Sequence, residues 1–194
     1  MTPLLNFDEW LFHLINVQWT QPWLDVIFPV WREKTTWIPL YLLIAVYSIW
    51  QYRAKGALLL LALILTVGIT DTLSHRLIKK QVQRPRPCQV DGYSGEHRTL
   101  IPCGSGYSFT SNHATNHFGI AAFLAFTLGL SLRWTFWWFF VWAFTIAYGQ
   151  VYVGVHYPLD VICGALLGTL VGWLSSRLFR KWVDLEAPSK QSGV

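Results

Sequence analysis

Gly56–Ser74, GALLLLALILTVGITDTLS, is the stretch whose reading decides the fold. An α-helix needs about 20 predominantly apolar residues to cross the hydrocarbon core of a bilayer, and this run has that length and character. The same window picks out Thr36–Trp50, Ala114–Leu132, Trp134–Tyr148 and Leu159–Leu178. Thr36–Trp50 and Trp134–Tyr148 are short, so their ends are expected to extend into neighbouring aromatic or polar residues. Composition supports the same reading: 53% of the 194 residues are apolar, 16% aromatic and only 13% charged, with a mean hydropathy of +0.35. Soluble domains carry about 25% charged residues, which argues against a water-soluble domain, and so apolar a chain excludes a disordered one. Twelve Trp and twelve Phe suit aromatic belts at the membrane interfaces. The expectation is one all-α domain, a multi-pass transmembrane helical bundle of about five spans.

Asn6–Val30 reads differently. Phe7, Trp10, Leu11, Leu14 and Ile15 recur at helical spacing, while Asp8, Glu9 and His13 interrupt them. That amphipathic pattern predicts a helix lying in the interface or packed on the bundle, with a sixth, partly polar span as the alternative. Pro22 and Pro29 are expected to break it up. The organisation is therefore an amphipathic segment over 1–35, a bundle over 36–182 with polar loops at 79–113 and 149–160, and a polar, disordered tail over 183–194. Met1–Asn6 lacks the basic region of a secretory signal.

The net charge of +5 arises from short clusters between apolar runs, which fits membrane loops and phosphate sites and argues against a nucleic-acid partner. With five alternating spans, Arg53 with Lys55, then Arg133, then Arg177 with Arg180 and Lys181 fall on one side, the expected cytoplasmic face. Lys79–Asn112 and Gly149–Tyr157 share the outer face, periplasmic if the chain sits in a bacterial inner membrane. The first of these loops is itself rich in Lys and Arg, against the positive-inside trend, so those residues need another job. Cys88 and Cys103 lie 15 residues apart in that loop, where an oxidising compartment permits a disulfide, the alternative being two free thiols. Cys163 reads as a small buried residue of an apolar helix.

Three polar clusters carry the chemistry, all at one end of the bundle. Lys79-Lys80-Gln81-Val82-Gln83-Arg84-Pro85-Arg86-Pro87 presents guanidinium groups on a proline-stiffened strand, and Arg forks match phosphate oxygens bidentately. A basic juxtamembrane loop for anionic lipid is the plainer reading. Upstream, the spacing of Asp71, His75 and Lys79 predicts one shared helix face. Tyr107–His117 runs into the third apolar segment with Ser111 or Asn112 as N-cap, so free N–H groups at a helix start offer an anion site. His113 and His117 sit one turn apart, a metal-like spacing, but no third ligand lies at an obvious position. In Gly149–Asp160, Pro158 opens a helix, His156 stands at its mouth, and Asp160 follows four residues later, a carboxylate placed to orient an imidazole.

In that order, Lys79-x6-Arg86-Pro87, Ser111-x-His113 and His156-x3-Asp160 resemble the signature of the type 2 phosphatidic acid phosphatase superfamily. The resemblance covers Lys79 to Asp160 and the flanking helical layout. It implies the helical-bundle fold shared by membrane lipid phosphatases, soluble acid phosphatases and vanadium haloperoxidases. Carried over, it implies that Lys79 and Arg86 grip non-transferred phosphate oxygens and that Ser111 adds its hydroxyl or N–H. His113 would protonate the leaving group, His156 attack phosphorus and Asp160 orient His156. The intermediate is a phosphohistidine, with no metal and no cofactor. Positive groups and a helix N-terminus suit the charge of an in-line phosphoryl transfer.

Two positions depart from the pattern. The usual Pro-Ser-Gly-His appears as Thr110-Ser111-Asn112-His113, with Asn112 where a Gly lets backbone approach phosphate. The third motif usually begins Ser-Arg and here reads Gly149-Gln150, leaving a neutral amide in the phosphate cradle, for which Arg84 or Lys80 is the expected substitute. The expected activity is removal of a phosphate from a lipid monophosphate or diphosphate at the outer leaflet, from undecaprenyl diphosphate, phosphatidic acid, phosphatidylglycerophosphate or lipid A phosphates. The alternatives are a catalytically weak lipid-phosphate binding or transport protein, which Gln150 suggests, and a vanadate-dependent haloperoxidase. Gly164, Gly168 and Gly172 predict close approach of another helix, within the bundle or across a dimer. The run Trp134–Trp142 reads as lipid-facing.

Overall fold

A computed structural model of the chain describes residues 3–90, 97–129 and 133–185. Among these, every regular element is helical: α1 Pro3–His13, α2 Pro22–Trp31, α3 Ile38–Tyr52, α4 Ala54–Asp71, α5 Lys79–Val82, α6 Asn112–Ala125, α7 Arg133–Tyr152 and α8 Pro158–Trp182. A π-helical turn, Thr72–Ile78, joins α4 to α5, so the apolar run around Gly56–Ser74 continues as one 29-residue helix to Val82. Gln83 ends it in the left-handed conformation, its N–H donating to the Lys79 carbonyl. By length and composition, Ala54–Val82 and Pro158–Trp182 are the two described helices long and apolar enough to cross a membrane.

The segment read as Ala114–Leu132 is a shorter helix than expected. It ends at Ala125 because Thr127 Oγ1 donates back to the Phe123 carbonyl while the Leu128 and Gly129 N–H groups both close on Leu124 O. At 14 residues α6 is about 21 Å long, less than the ~30 Å hydrocarbon core. It is the buried centre of the molecule, packed most extensively on α8 and α7 and also against α4. The glycine stripe of α8 makes that contact possible. A Cβ at Gly168 would stand 2.1 Å from the Thr115 carbonyl oxygen, and one at Gly172 2.3 Å from that of Gly119. The stripe is thus filled by α6 of the same chain.

The opposite faces are apolar and open. Leu42, Leu43, Leu61, Ile64, Leu166 and Leu170 are all at least half exposed, far more apolar surface than a soluble monomer shows. Trp137 and Trp138 project outward, but Trp142 turns inward, its ring 5.2 Å from that of His117. Cys163 is half-buried, not buried, because it lies on the flank of α8 beside the glycine stripe.

The N-terminal segment packs on the bundle. Pro22 opens α2 instead of breaking a helix, since its missing N–H costs nothing in the first turn, and Pro29 lies inside α2. Phe12, Ile15 and Phe28 join Tyr152, Val155 and Tyr157 in one apolar cluster at the polar-loop end. Asn16, fully buried, donates to the Tyr152 and Arg98 carbonyls and accepts from the Arg98 N–H. The polar tail falls largely outside the described residues.

Candidate active site

Three chain segments converge where the helices end. The long helix delivers Lys79, which is buried and whose Nζ donates to the carbonyls of Tyr107 (2.6 Å) and Ser108 (3.1 Å). His75 and Lys79 face the same cavity, while Asp71, on the far side of the π-helical turn, accepts from Asn112 and Asn116. The helical face expected to hold all three is divided by the altered pitch of that turn. After Gln83 the chain is irregular, and Cys88 is bonded to Cys103, tying Arg86 to the 103–106 loop. Arg86 Nε donates to Gly106 O at 2.8 Å.

Gly154, at φ +88°, turns the chain from α7 toward α8 in a conformation that strains other residues. His156 follows in the loop. Its Nε2 lies 3.1 Å from Arg86 Nη1, and its Nδ1 lies 3.3 Å from Ser108 Oγ and 3.6 Å from Asp160 Oδ2. A separation of 3.6 Å is beyond hydrogen-bond range, so the nearer partner of Nδ1 is the Ser108 hydroxyl and not the carboxylate. Ser108 stands between, donating its hydroxyl to Asp160 Oδ2, so the order is imidazole, hydroxyl, carboxylate. Burial pushes the His156 imidazole down to about 4, against the opposing influence of Asp160. At neutral pH the ring is uncharged.

Asp160 is fully buried and amply satisfied. It accepts from the Tyr157 N–H (2.9 Å), from Ser108 and from Arg84 Nη1 (2.9 Å). Arg84 also pairs with Asp8 Oδ2 at 2.7 Å and lies 3.9 Å above the Tyr157 ring. Burial alone would lower the Arg84 guanidinium, but the two carboxylates outweigh it and hold it above its ordinary value. Arg84 is therefore committed to structure and does not fill the place opposite Gln150. Asp8 in turn accepts the Leu159 N–H at 2.8 Å, capping the start of α8 from the N-terminal helix. Arg98, another basic residue of this loop, pairs with Asp25.

Ser111 caps α6 by accepting the Ala114 N–H, and its own N–H donates to the Asp160 carbonyl. Fully buried, it does not line the cavity, so it braces the loop and leaves the anion-facing surface to Asn112 and His113. His117 bonds the His113 carbonyl and lies 3.3 Å from the Tyr41 hydroxyl. Among the described residues, no three His, Cys, Asp or Glu side chains converge as metal ligands. Gln150 is likewise fully buried and away from the cavity wall, its Oε1 accepting from Arg32 Nε at 3.1 Å.

The result is a cavity of about 520 Å³ whose described lining includes Arg32, Lys79, Lys80, Arg86, His113 and His156 and no carboxylate. Beside it runs an apolar groove of about 650 Å³ between α3, α4 and α6, lined by Ile44, Leu60, Leu63 and Val67 and sharing Asn112 and His113 with the cationic cavity. An anionic head joined to an apolar tail fits that pair. Ser108, Asp8 and Arg32 were not marked by the sequence reading. Asp8 had a signal, an acid on the same helical face as Phe12, and Ser108 lies within the polar cluster Tyr107–His117, but Arg32 belongs to no motif.

Residues 55–184 match the PAP2 superfamily. A lipid A 4'-phosphatase of Bacteroides thetaiotaomicron is 30% identical over 106 residues, 53% of this chain and 47% of that protein. Its counterpart from Porphyromonas gingivalis is 30% identical over 126 residues, 63% and 52%. The chain thus matches about half the length of each. Among solved structures, LpxE of Aquifex aeolicus superposes with a TM-score of 0.65 and 30% identity over 86% of this chain and 93% of that one. The transmembrane PAP2-type phosphatidylglycerolphosphate phosphatase of Bacillus subtilis gives 0.74 over 94% and 89% and, at 24% identity, shows the shared fold. With its three motifs gathered around one cationic cavity and the family match extending over most of the bundle, this chain belongs to the PAP2 superfamily.

Proposed function

We propose that the protein is a metal-independent phosphatase acting on a lipid phosphate, with a phosphate ester of lipid A as the first substrate to test. The observation that carries this reading is a cationic cavity, with no carboxylate among its described lining, opening beside an apolar groove. The relatives named lipid A 4'-phosphatase support the choice of first substrate.

In the proposed mechanism the phosphate oxygens bind Lys79 and Arg86, with Asn112 at the start of α6 beside them. His156 Nε2, unprotonated, attacks phosphorus in line while Nδ1–H is held through Ser108 by Asp160. The bond to the leaving oxygen breaks, and His113, whose imidazole burial and the neighbouring cations push down in the free site, takes up a proton beside the bound phosphate dianion and gives it to that oxygen. Water then attacks the phosphohistidine, returns a proton to His113, and inorganic phosphate leaves. Fixed positive charge at the reacting phosphoryl group is the dominant source of acceleration in such transfers.

The proposed setting is a bacterial inner membrane crossed about five times, with the cavity facing the periplasm and Arg53, Arg133 and Arg177 on the cytoplasmic side. The positive-inside trend supports it, and the basic residues of the outer loop now have other jobs: Lys79 and Arg86 in the cavity, Arg84 and Arg98 in ion pairs. The test is phosphate release by the detergent-purified protein, in chelator, from lipid A, phosphatidylglycerophosphate, phosphatidic acid and undecaprenyl diphosphate, beside His156→Ala. Release abolished by that substitution is expected. Equal release by the variant would remove the nucleophile assignment, and none by a folded wild-type protein would favour a binding role.

A further inference from the structure

The third motif lacks its arginine, yet the cavity does not lack a cation from that side. Arg32 enters it from the end of α2, an element outside all three motifs. The residue is 9% exposed. Its Nε donates to Gln150 Oε1 at 3.1 Å and its Nη1 to Glu33, whose side chain is half exposed. Those are its two side-chain hydrogen bonds among the described residues, so part of the guanidinium fork remains for an anion. Among the described residues no carboxylate lines the cavity itself, and Glu33, the partner of Nη1, lies outside that lining.

We propose that Arg32 is a phosphate-binding residue of this protein, held in place by Gln150, and that Gln150 is the bracket that lets a cation from α2 occupy the position the third motif leaves neutral. The inference rests on the phosphatase reading for its substrate but on geometry for its charge. Gln150 suits the role because it offers an acceptor. An arginine there would put a second guanidinium against the first in a fully buried site, where like charges repel strongly. Having given Oε1 to Arg32, the Gln150 amide leaves Nε2 without a partner, a buried donor left unmade where the pairing with Arg32 fixes the amide orientation. Proximity to Arg32 also adds to the burial that draws the Arg86 guanidinium down, against the lift from Asp160, as expected of two cations sharing one anion. Lys80 lines the same cavity but lies exposed on the helix end, so its charge is far better solvated.

The experiment is a charge swap read in two ways: affinity for inorganic phosphate by titration calorimetry, and kcat and KM for lipid phosphate release. Arg32→Gln should weaken phosphate binding roughly tenfold or more, the fold-change of losing a charge-assisted hydrogen bond, and should raise KM. Gln150→Arg alone should weaken binding, despite restoring the residue the family pattern expects, because it removes the acceptor and repels Arg32. The double variant Arg32→Gln, Gln150→Arg should bind more tightly than either single variant, a recovery that a purely structural role for Arg32 does not produce. Arg32→Lys, which keeps the charge and loses Nε, should fall between wild type and Arg32→Gln and serves if the glutamine variant fails to fold. Phosphate affinity unchanged in Arg32→Gln, or a double variant no better than the singles, would overturn the proposal. Arg32-dependent phosphate binding without turnover of any lipid would uphold it and refute the phosphatase reading.

Discussion

Replacing Ser108 by alanine is the sharpest test of the site geometry. The hydroxyl lies between His156 Nδ1 (3.3 Å) and Asp160 Oδ2, while the direct gap between ring and carboxylate is 3.6 Å. Without it, Asp160 keeps Arg84 and the Tyr157 N–H, so the fold has no reason to fail. What is lost is the link fixing the His156 tautomer that leaves Nε2 free to attack. A hydrogen bond to a charged group contributes about 1.5–3 kcal/mol, and about 1.4 kcal/mol corresponds to tenfold in rate. Ser108→Ala should therefore lower kcat by roughly 10- to 100-fold. KM should hardly change, because Ser108 does not line the cavity. The assay is steady-state phosphate release from a lipid phosphate in detergent, with the thermal unfolding midpoint as a control on folding. A kcat within about twofold of wild type in a folded variant would mean that Asp160 reaches His156 without the hydroxyl, contrary to the 3.6 Å separation.

The pH profile follows from the buried His156, whose imidazole is pushed down to about 4 from an ordinary value near 6.5. The acid limb of kcat/KM should fall near pH 4, and a limb at 6.5 assigned to His156 by ring NMR would contradict the burial argument. Between those values the unfolded chain binds the extra proton, so this contribution to stability is full above about 6.5 and is lost as the pH falls toward 4. Gly168→Ala should destabilise the protein by at least about 1–3 kcal/mol, because the new methyl meets backbone of α6 and overpacking costs that much. Gly68→Ala, with open space at its Cβ, should be neutral by the same detergent unfolding assay. Reducing Cys88–Cys103 opens a 15-residue loop, for which loop-closure entropy gives about 3 kcal/mol. A lower unfolding midpoint in reductant and a raised KM through Arg86 are expected, and two free thiols in the untreated protein by mass spectrometry would dismiss the bridge.

The sequence alone determined the helical class, the membrane setting and the main catalytic candidates, because those rest on local regularities. A long apolar run can satisfy its backbone in a bilayer only as a helix, and His156 with Asp160, one turn apart at a helix start, are neighbours whatever surrounds them. The glycines of α8 likewise announced a close helix contact, although only the folded chain showed that α6 fills it. The length of α6 was misjudged because a deeply buried core helix and a lipid-facing one are equally apolar; the Thr127 hydroxyl and the shared Leu124 carbonyl end it early.

What the tertiary structure decided lies in pairs far apart in the chain. Ser108 comes between His156 and Asp160 from 48 residues away, Arg84 is claimed by Asp8 across 76 residues, and Arg32 reaches Gln150 across 118. No periodicity or motif spacing encodes such contacts, since they depend on which helix ends the packing of α6, α7 and α8 brings together. A neutral Gln150 therefore looked like a defect in one dimension, whereas in three it has an arginine beside it.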